Sequence, residues 1–102
     1  MIMIKTILVV SDSYSRAKHL AQDIIADRNE MILNLERADT VATLDNTYEY
    51  IGARSIDRIR GSDVEEVFFE CGRLDQKEFR KVDSVIEGLV TKSSLNLPIK
   101  YI

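Results

Sequence analysis

Hydrophobic positions in the first third of the chain change from a run to a helical spacing. Residues 2–10 form an apolar run that is rich in β-branched side chains and is interrupted by Lys5 and Thr6, which is typical of a strand buried on both faces of a parallel sheet. Residues 11–15 then supply side-chain oxygens that can cap a helix. Apolar residues at helical spacing follow, and they are Ala17, Leu20, Ala21, Ile24 and Ile25. A strand that leads into a capped helix is the first half of a βαβ unit.

The middle of the chain predicts a β-hairpin. Residues 40–44 and 47–51 are two short segments rich in Thr, Val and Tyr, with Asp45 and Asn46 between them in the place of a two-residue turn. Tyr48 and Tyr50 lie on one face of the second segment, where they can stack on bases or pack across strands. Residues 31–35 fit either a strand or a continuation of the preceding helix.

The second half repeats the alternation of strand and helix. Residues 55–61 predict a single helical turn, residues 64–71 a second core strand, and residues 75–90 an amphipathic helix. Pro98 can begin a last strand over residues 97–102. The order predicts a single α/β domain of two or three layers, with three parallel core strands, an antiparallel hairpin as its edge, and two main helices.

Composition narrows the class of protein. The chain has 102 residues, enough for one domain, and 45% of them are hydrophobic. A net charge of -3 argues against a protein that coats nucleic acid or an anionic membrane. Cys71 is the only cysteine, so no internal disulfide can form, and the start of the chain has no secretory signal pattern. We therefore expect a cytoplasmic protein with no membrane partner.

Candidate binding residues follow the predicted core strands. Ligands of parallel sheets bind beyond the carboxyl ends of the strands, which points to Ser11 and Asp12 at the end of the first strand and to Glu70, Cys71 and Gly72 at the end of the second. Glu65, Glu66 and Glu70 are acidic, but neighbouring strand residues point to opposite faces, so at most two can converge. Glu70 is thus a weak candidate for a metal ligand, and we expect no cofactor.

Four arginines form a second candidate surface. Arg54, Arg58 and Arg60, together with Arg73, could meet the phosphates of DNA, RNA or a nucleotide. Acidic residues nearly cancel this charge, so a solvated surface is the favoured interpretation. The acidic neighbours are Asp57, Asp63, Glu65 and Glu66.

Several segments together resemble a P-loop ATPase core, with the nearest likeness to viral terminase large subunits and helicase-like ATPases. They are residues 5–11 running into residues 14–18, the hairpin, and residues 55–61 ahead of Val67-Phe68-Phe69-Glu70. In that family an Arg-Gly element precedes the Walker B strand, which closes in an Asp-Glu pair. The resemblance implies that Glu70 marks the Walker B position.

The sequence departs from the family at two motifs that ATP hydrolysis requires. The phosphate cradle Gly-x-x-x-x-Gly-Lys-Ser/Thr is absent. Cys71 stands where the family has the Glu that activates water. Phosphoryl transfer depends on these parts, so we expect no ATP hydrolysis and no enzymatic activity. The missing phosphate-loop strand would pair beside residues 97–102, so the resemblance implies an exposed edge there.

These observations favour a non-catalytic binding protein, viral or prophage-encoded, that docks on a nucleic-acid-processing machine. Its docking surfaces would be the edge at residues 97–102, for another protein or a second copy, and residues 54–61. One alternative is a module that binds a nucleotide or nucleic acid at the carboxyl ends of the core strands. A second alternative is a residual metal-dependent enzyme centred on Glu70. Residues 7–12 also resemble a receiver domain of the response-regulator type, in which Glu70 would replace the phosphate-accepting Asp.

Overall fold

Strands and helices alternate along the chain in the computed structural model, which describes residues 5–33, 40–58, 64–92 and 98–102. The elements are β1 (Lys5–Ser11), α1 (Tyr14–Asp27), β2 (Thr40–Ala42), β3 (Asn46–Gly52), a 3-10 helix (Ala53–Arg58), β4 (Val64–Phe69), α2 (Gln76–Lys92) and β5 (Ile99–Tyr101). Each predicted strand and main helix is present, with ends displaced by a few residues. The predicted strand start at residues 2–4 and the end of the helical turn at residues 59–61 lie outside the described residues.

The strands form one mixed sheet in the order β2-β3-β1-β4-β5. β2 pairs antiparallel with β3, as the hairpin prediction requires. β3 also pairs parallel with β1, with Lys5 opposite Asn46 and Ser11 opposite Gly52. The α/β class with a parallel core, an antiparallel hairpin and two main helices is confirmed. The parallel part has four strands where three were predicted, because β3 uses its second side to pair with β1.

The two main helices cover opposite faces of the sheet, so the fold has three layers. Ile7 and Val9 of β1 point into the core beneath α1, whereas Leu8 and Val10 point into the core beneath α2. All four side chains are fully buried. A strand packed on both faces needs an unbroken apolar run, and this is why β1 has no polar alternation.

α1 begins at a capped turn and stops before residue 31. The hydroxyl of Ser13 accepts a hydrogen bond from the Arg16 amide at 3.2 Å and so caps the helix. The helix ends at Asp27, so its continuation over residues 31–35 is wrong for the described residues 31–33. Ile32 instead forms an antiparallel bridge with Thr43, next to the side of β2 that faces away from β3.

The hairpin turn lies slightly earlier than the spacing predicted. Asn46 belongs to β3, and the turn is organised by Thr43, whose hydroxyl accepts from the amides of Asp45 and Asn46. A threonine hydroxyl can order a turn in this way without a glycine.

None of the helices in the described part of the chain has both the length and the apolar character of a membrane-spanning segment.

Candidate functional site at the carboxyl ends of β1 and β4

The strand order creates a crevice between β1 and β4. The connection that leaves β1 leads to β2 and β3 on one side of it, whereas the connection that leaves β4 leads to β5 on the opposite side. The two connections therefore diverge between β1 and β4. Ligand sites of open α/β sheets lie at such a divergence, beyond the carboxyl ends of the strands. Ser11 and Asp12 stand at the end of β1 and Glu70 at the end of β4. The structure therefore brings these three predicted residues together, and we call this place the rim.

Glu70 is the central group of the rim. Its residue is only 6% exposed, and the hydroxyl of Ser11 donates to its Oε1 at 2.6 Å. The guanidinium of Arg16 donates from Nε to Oε1 and from Nη2 to Oε2, both at 2.9 Å. This two-pronged contact is the strongest geometry for an arginine with a carboxylate. Hydrogen bonding to Arg16 outweighs burial and lowers the pKa of the Glu70 carboxyl below its ordinary value.

A second, longer ion pair lies on the solvent-exposed side of the rim. Arg73 approaches Asp12 with Nε 3.7 Å from Oδ2, and both side chains are substantially exposed. The Ser11 hydroxyl also lies 3.2 Å from Asp12 Oδ1, but its single hydrogen points best along the shorter contact to Glu70. Two arginines thus meet two carboxylates, and the formal charge of the rim cancels.

Arg16 is the rim residue that sequence reasoning missed. It lies in the first turn of α1, where its positive charge interacts unfavourably with the positive end of the helix dipole. A basic residue in that unfavourable place signals a specific acidic partner elsewhere in the fold. The partner, Glu70, is 54 residues away along the chain, so the signal indicates that a partner exists and not which one.

The three glutamates considered for a metal ion, Glu65, Glu66 and Glu70, do not converge on one point. Glu66 is bound by Arg28, whose Nη2 lies 3.1 and 3.0 Å from its two oxygens. Glu65 is exposed, while both oxygens of Glu70 face Arg16. Across the described residues, no group of three or more His, Cys, Asp or Glu side chains is placed to hold a metal ion.

The arginine patch is only partly described. Arg54 and Arg58 are exposed on the 3-10 helix, and Arg60 lies outside the described residues. Asp57 of the same helix pairs with Lys81 at 3.3 Å, so charges of both signs alternate on this surface. Arg73 lies on the rim with Asp12.

The hairpin tyrosines do not form a base-stacking platform. Tyr48 is fully buried and Tyr50 is 1% exposed, both within the core beneath α1. A cavity of about 40 Å³ lies beside Tyr50, and its other lining residues are Lys18, Gln22, Ile32 and Val41. That volume holds little more than a few water molecules. The use of these tyrosines for stacking on bases is therefore wrong, and their packing role is the correct one.

The predicted edge strand is present. β5 pairs with β4, and among the described strands it has no neighbour on its other side. Tyr101 and Ile102 are 51% and 47% exposed there.

No protein-family model, no curated protein and no solved structure matches this chain.

Proposed function

We propose that this protein is a non-catalytic binding protein that takes an extended segment of a protein partner as an added strand along β5. The observation that carries the proposal is the open side of β5 in the described sheet. An unpaired edge presents backbone donors and acceptors that another strand can use. As the resemblance to terminase and helicase-like ATPases implies, we propose a nucleic-acid-processing machine as the source of that partner.

The two edges of the sheet differ in how they are covered. At the β2 edge, the Leu33 amide donates to Ala42 at 2.9 Å, and the Leu44 amide donates to Met31 at 3.1 Å. The segment at residues 31–33 therefore covers part of that edge. No described segment does the same for β5. This asymmetry supports β5 as the docking side.

The hydrogen bonds of β5 define which backbone groups are available. The Pro98 carbonyl accepts from Val67 at 2.9 Å, and the Ile102 amide donates to Phe69 at 2.8 Å. Backbone groups alternate in direction along a strand, so residues 98, 100 and 102 face β4. The amides and carbonyls of Ile99 and Tyr101 then face outward, where an added strand would bind them.

The state of the rim supports binding over catalysis. Both oxygens of Glu70 accept hydrogen bonds from Arg16, and Ser11 donates to one of them. A general base or a metal ligand needs a free lone pair that points toward its target. The receiver-like alternative likewise needs a free carboxylate at this place. Three of the four acceptor positions of Glu70 are occupied in this way, which disfavours both uses.

The experiment compares two substitutions at one edge residue. Tyr101→Pro removes an outward amide while leaving the ladder to β4 intact, whereas Tyr101→Thr removes the ring and keeps the amide. Affinity purification with both variants and the wild type as baits should lose the partner with the proline variant alone. A partner retained equally by all three baits would contradict docking through β5.

A second candidate is anion or nucleotide binding at the rim, favoured by its position where the two connections diverge. Arg16 and Arg73 are the groups that would meet a phosphate there, after release from Glu70 and Asp12. Thermal-shift measurements with nucleotides, with and without magnesium, test it. Binding at the rim would raise the midpoint of the wild type and would not raise it in Arg16→Ala; equal shifts in both would reject the rim.

A further inference from the structure

The two faces beside the β5 edge carry opposite charges. Lys100 points to the α1 side of the sheet, where its ammonium lies 6.0 Å from the centre of the Phe68 ring. Tyr101 points to the α2 side, where its ring packs on Phe69 and its hydroxyl donates to Asp83 at 3.1 Å. A strand added to β5 would therefore place alternate side chains beside a cation and beside a carboxylate.

Lys100 has no counter-charge among the described residues. Within the described residues it makes no ion pair, whereas its neighbour over the same ring, Arg28, is bound to Glu66. The Lys100 residue is exposed, and it is the middle residue of β5. An opposite charge placed directly across from it on an added strand would stabilise the pairing.

The same lysine disfavours pairing between two copies of this chain. An antiparallel β5 pair that uses every outward group would join Ile99 of each copy to Tyr101 of the other. That register places Lys100 directly opposite Lys100 of the second copy, and like charges in this position are destabilising. A lysine on an edge strand is a common device against self-association.

We infer that the occupant of the β5 edge is an acidic extended segment of another protein, which adds antiparallel to β5 with an Asp or Glu opposite Lys100. The inference rests on the proposed function, since it names the partner chemistry of the same edge. Backbone hydrogen bonds to Ile99 and Tyr101 hold the segment, and the carboxylate opposite Lys100 selects it. On the other face, Asp83 disfavours an acid, so hydroxyl or basic residues alternate with the acidic ones.

The probe is a blocked seven-residue peptide in which Glu alternates with Thr, titrated against the labelled protein by NMR at low salt. Shifts should concentrate at residues 99–102. Lys100→Glu should weaken binding by at least about tenfold, and a peptide with Lys in place of Glu should restore the affinity of that variant. Lys81→Glu is the matched control, because it changes net charge equally on the side of α2 that faces Asp57, and it should leave the affinity unchanged.

Three further outcomes separate this inference from the proposed function on which it rests. Equal affinity of the Glu peptide for wild type and Lys100→Glu would overturn the charge selection and leave strand addition standing. A probe methylated on alternate backbone nitrogens, so that it cannot pair with β5, should lose binding. Undiminished binding of the methylated probe would overturn strand addition itself, and no binding of the plain probe at about 1 mM would overturn the acidic partner.

Discussion

Gly52 is the residue at which one methyl group would disturb two elements. It ends β3, and a Cβ built on it would lie 2.8 Å from the Tyr14 nitrogen and 2.9 Å from the Ser13 carbonyl carbon. Both are backbone atoms of the capped turn that starts α1, so neither can swing aside. The close approach seats the start of α1 against the end of β3, next to the rim.

Replacing Gly52 with Ala should lower the free energy of unfolding by about 1 to 3 kcal/mol, because the new methyl group overlaps fixed backbone. Urea denaturation measures this change. Gly88→Ala is the matched control, since Gly88 lies within α2 and a Cβ there would have no other atom within 4 Å. That substitution should raise stability by about 0.5 to 1 kcal/mol. Equal effects at the two sites would contradict the close approach.

Glu70 makes stability depend on pH in the acid range. The Arg16 guanidinium lowers the pKa of this carboxyl below its ordinary value of 4.5, so the folded state holds its proton less tightly than the unfolded state does. Its contribution is therefore complete above pH 4.5 and is lost as the pH falls toward the lower folded value.

The melting temperatures of wild type and Glu70→Gln should accordingly differ most at neutral pH and converge as the solution is acidified below pH 4.5. Thermal denaturation followed by circular dichroism from neutral to strongly acid pH checks this. Glu65→Gln, an exposed neighbour on β4, should leave the curve unchanged. A gap between wild type and Glu70→Gln that stays constant with pH would contradict the ion pair.

At the scale of elements, Glu30 joins the segment after α1 to the hairpin. Its carboxylate accepts from the hydroxyl of Thr43 at 2.6 Å, from the side-chain amide of Asn46 at 2.8 Å, and from the hydroxyl of Tyr48. Burial works to raise the pKa of Glu30, but these three hydrogen bonds outweigh it and lower the pKa. One carboxylate thus satisfies three donors that lie in or beside β3.

Glu30→Ala should destabilise the fold by about 1 to 3 kcal/mol, because it leaves donors of the buried Asn46 and Tyr48 side chains without an acceptor. Tyr48→Phe removes one donor and leaves the other two satisfied, so its cost should be about 1 kcal/mol. Urea denaturation of both variants compares them. A loss in Tyr48→Phe as large as that in Glu30→Ala would contradict the role of Glu30 as the shared acceptor of three donors.

At the scale of the whole molecule, the sheet has one edge partly covered by its own chain and one edge left open in the described residues. The open edge carries Lys100 at its centre, and repulsion between two such lysines opposes a symmetric dimer. Charge at one position should therefore decide whether copies of this protein associate.

An equimolar mixture of wild type and Lys100→Glu should associate, since each pair then sets opposite charges across the edge, while either protein alone should stay monomeric. Sedimentation equilibrium at high protein concentration measures the masses, and added salt should weaken the mixed species. Tyr101→Pro in both chains should prevent the mixed association. A wild-type dimer that this proline abolishes would contradict the role of Lys100.

Much of the fold follows from local patterns along the chain. The apolar run at residues 7–10, the capping residues within 11–15 and the apolar spacing of α2 each depend on a few neighbouring residues, so these local patterns predict the elements. The hairpin was predicted for the same reason, although Thr43 and not Asn46 organises its turn. Residues 31–33 could not be assigned, because a short apolar segment fits both periods and its pairing with Thr43 is set by contacts outside the segment.

The sequence by itself determined the kind and order of the elements and the three rim residues at the carboxyl ends of β1 and β4, which are Ser11, Asp12 and Glu70. Only the tertiary structure decided that β3 lies beside β1 and that Arg16 meets Glu70, whereas the family resemblance already implied the exposed edge at residues 97–102. The physical reason is distance along the chain. Helix and strand periods depend on near neighbours, whereas strand order and ion pairs join residues that only the packed core brings together.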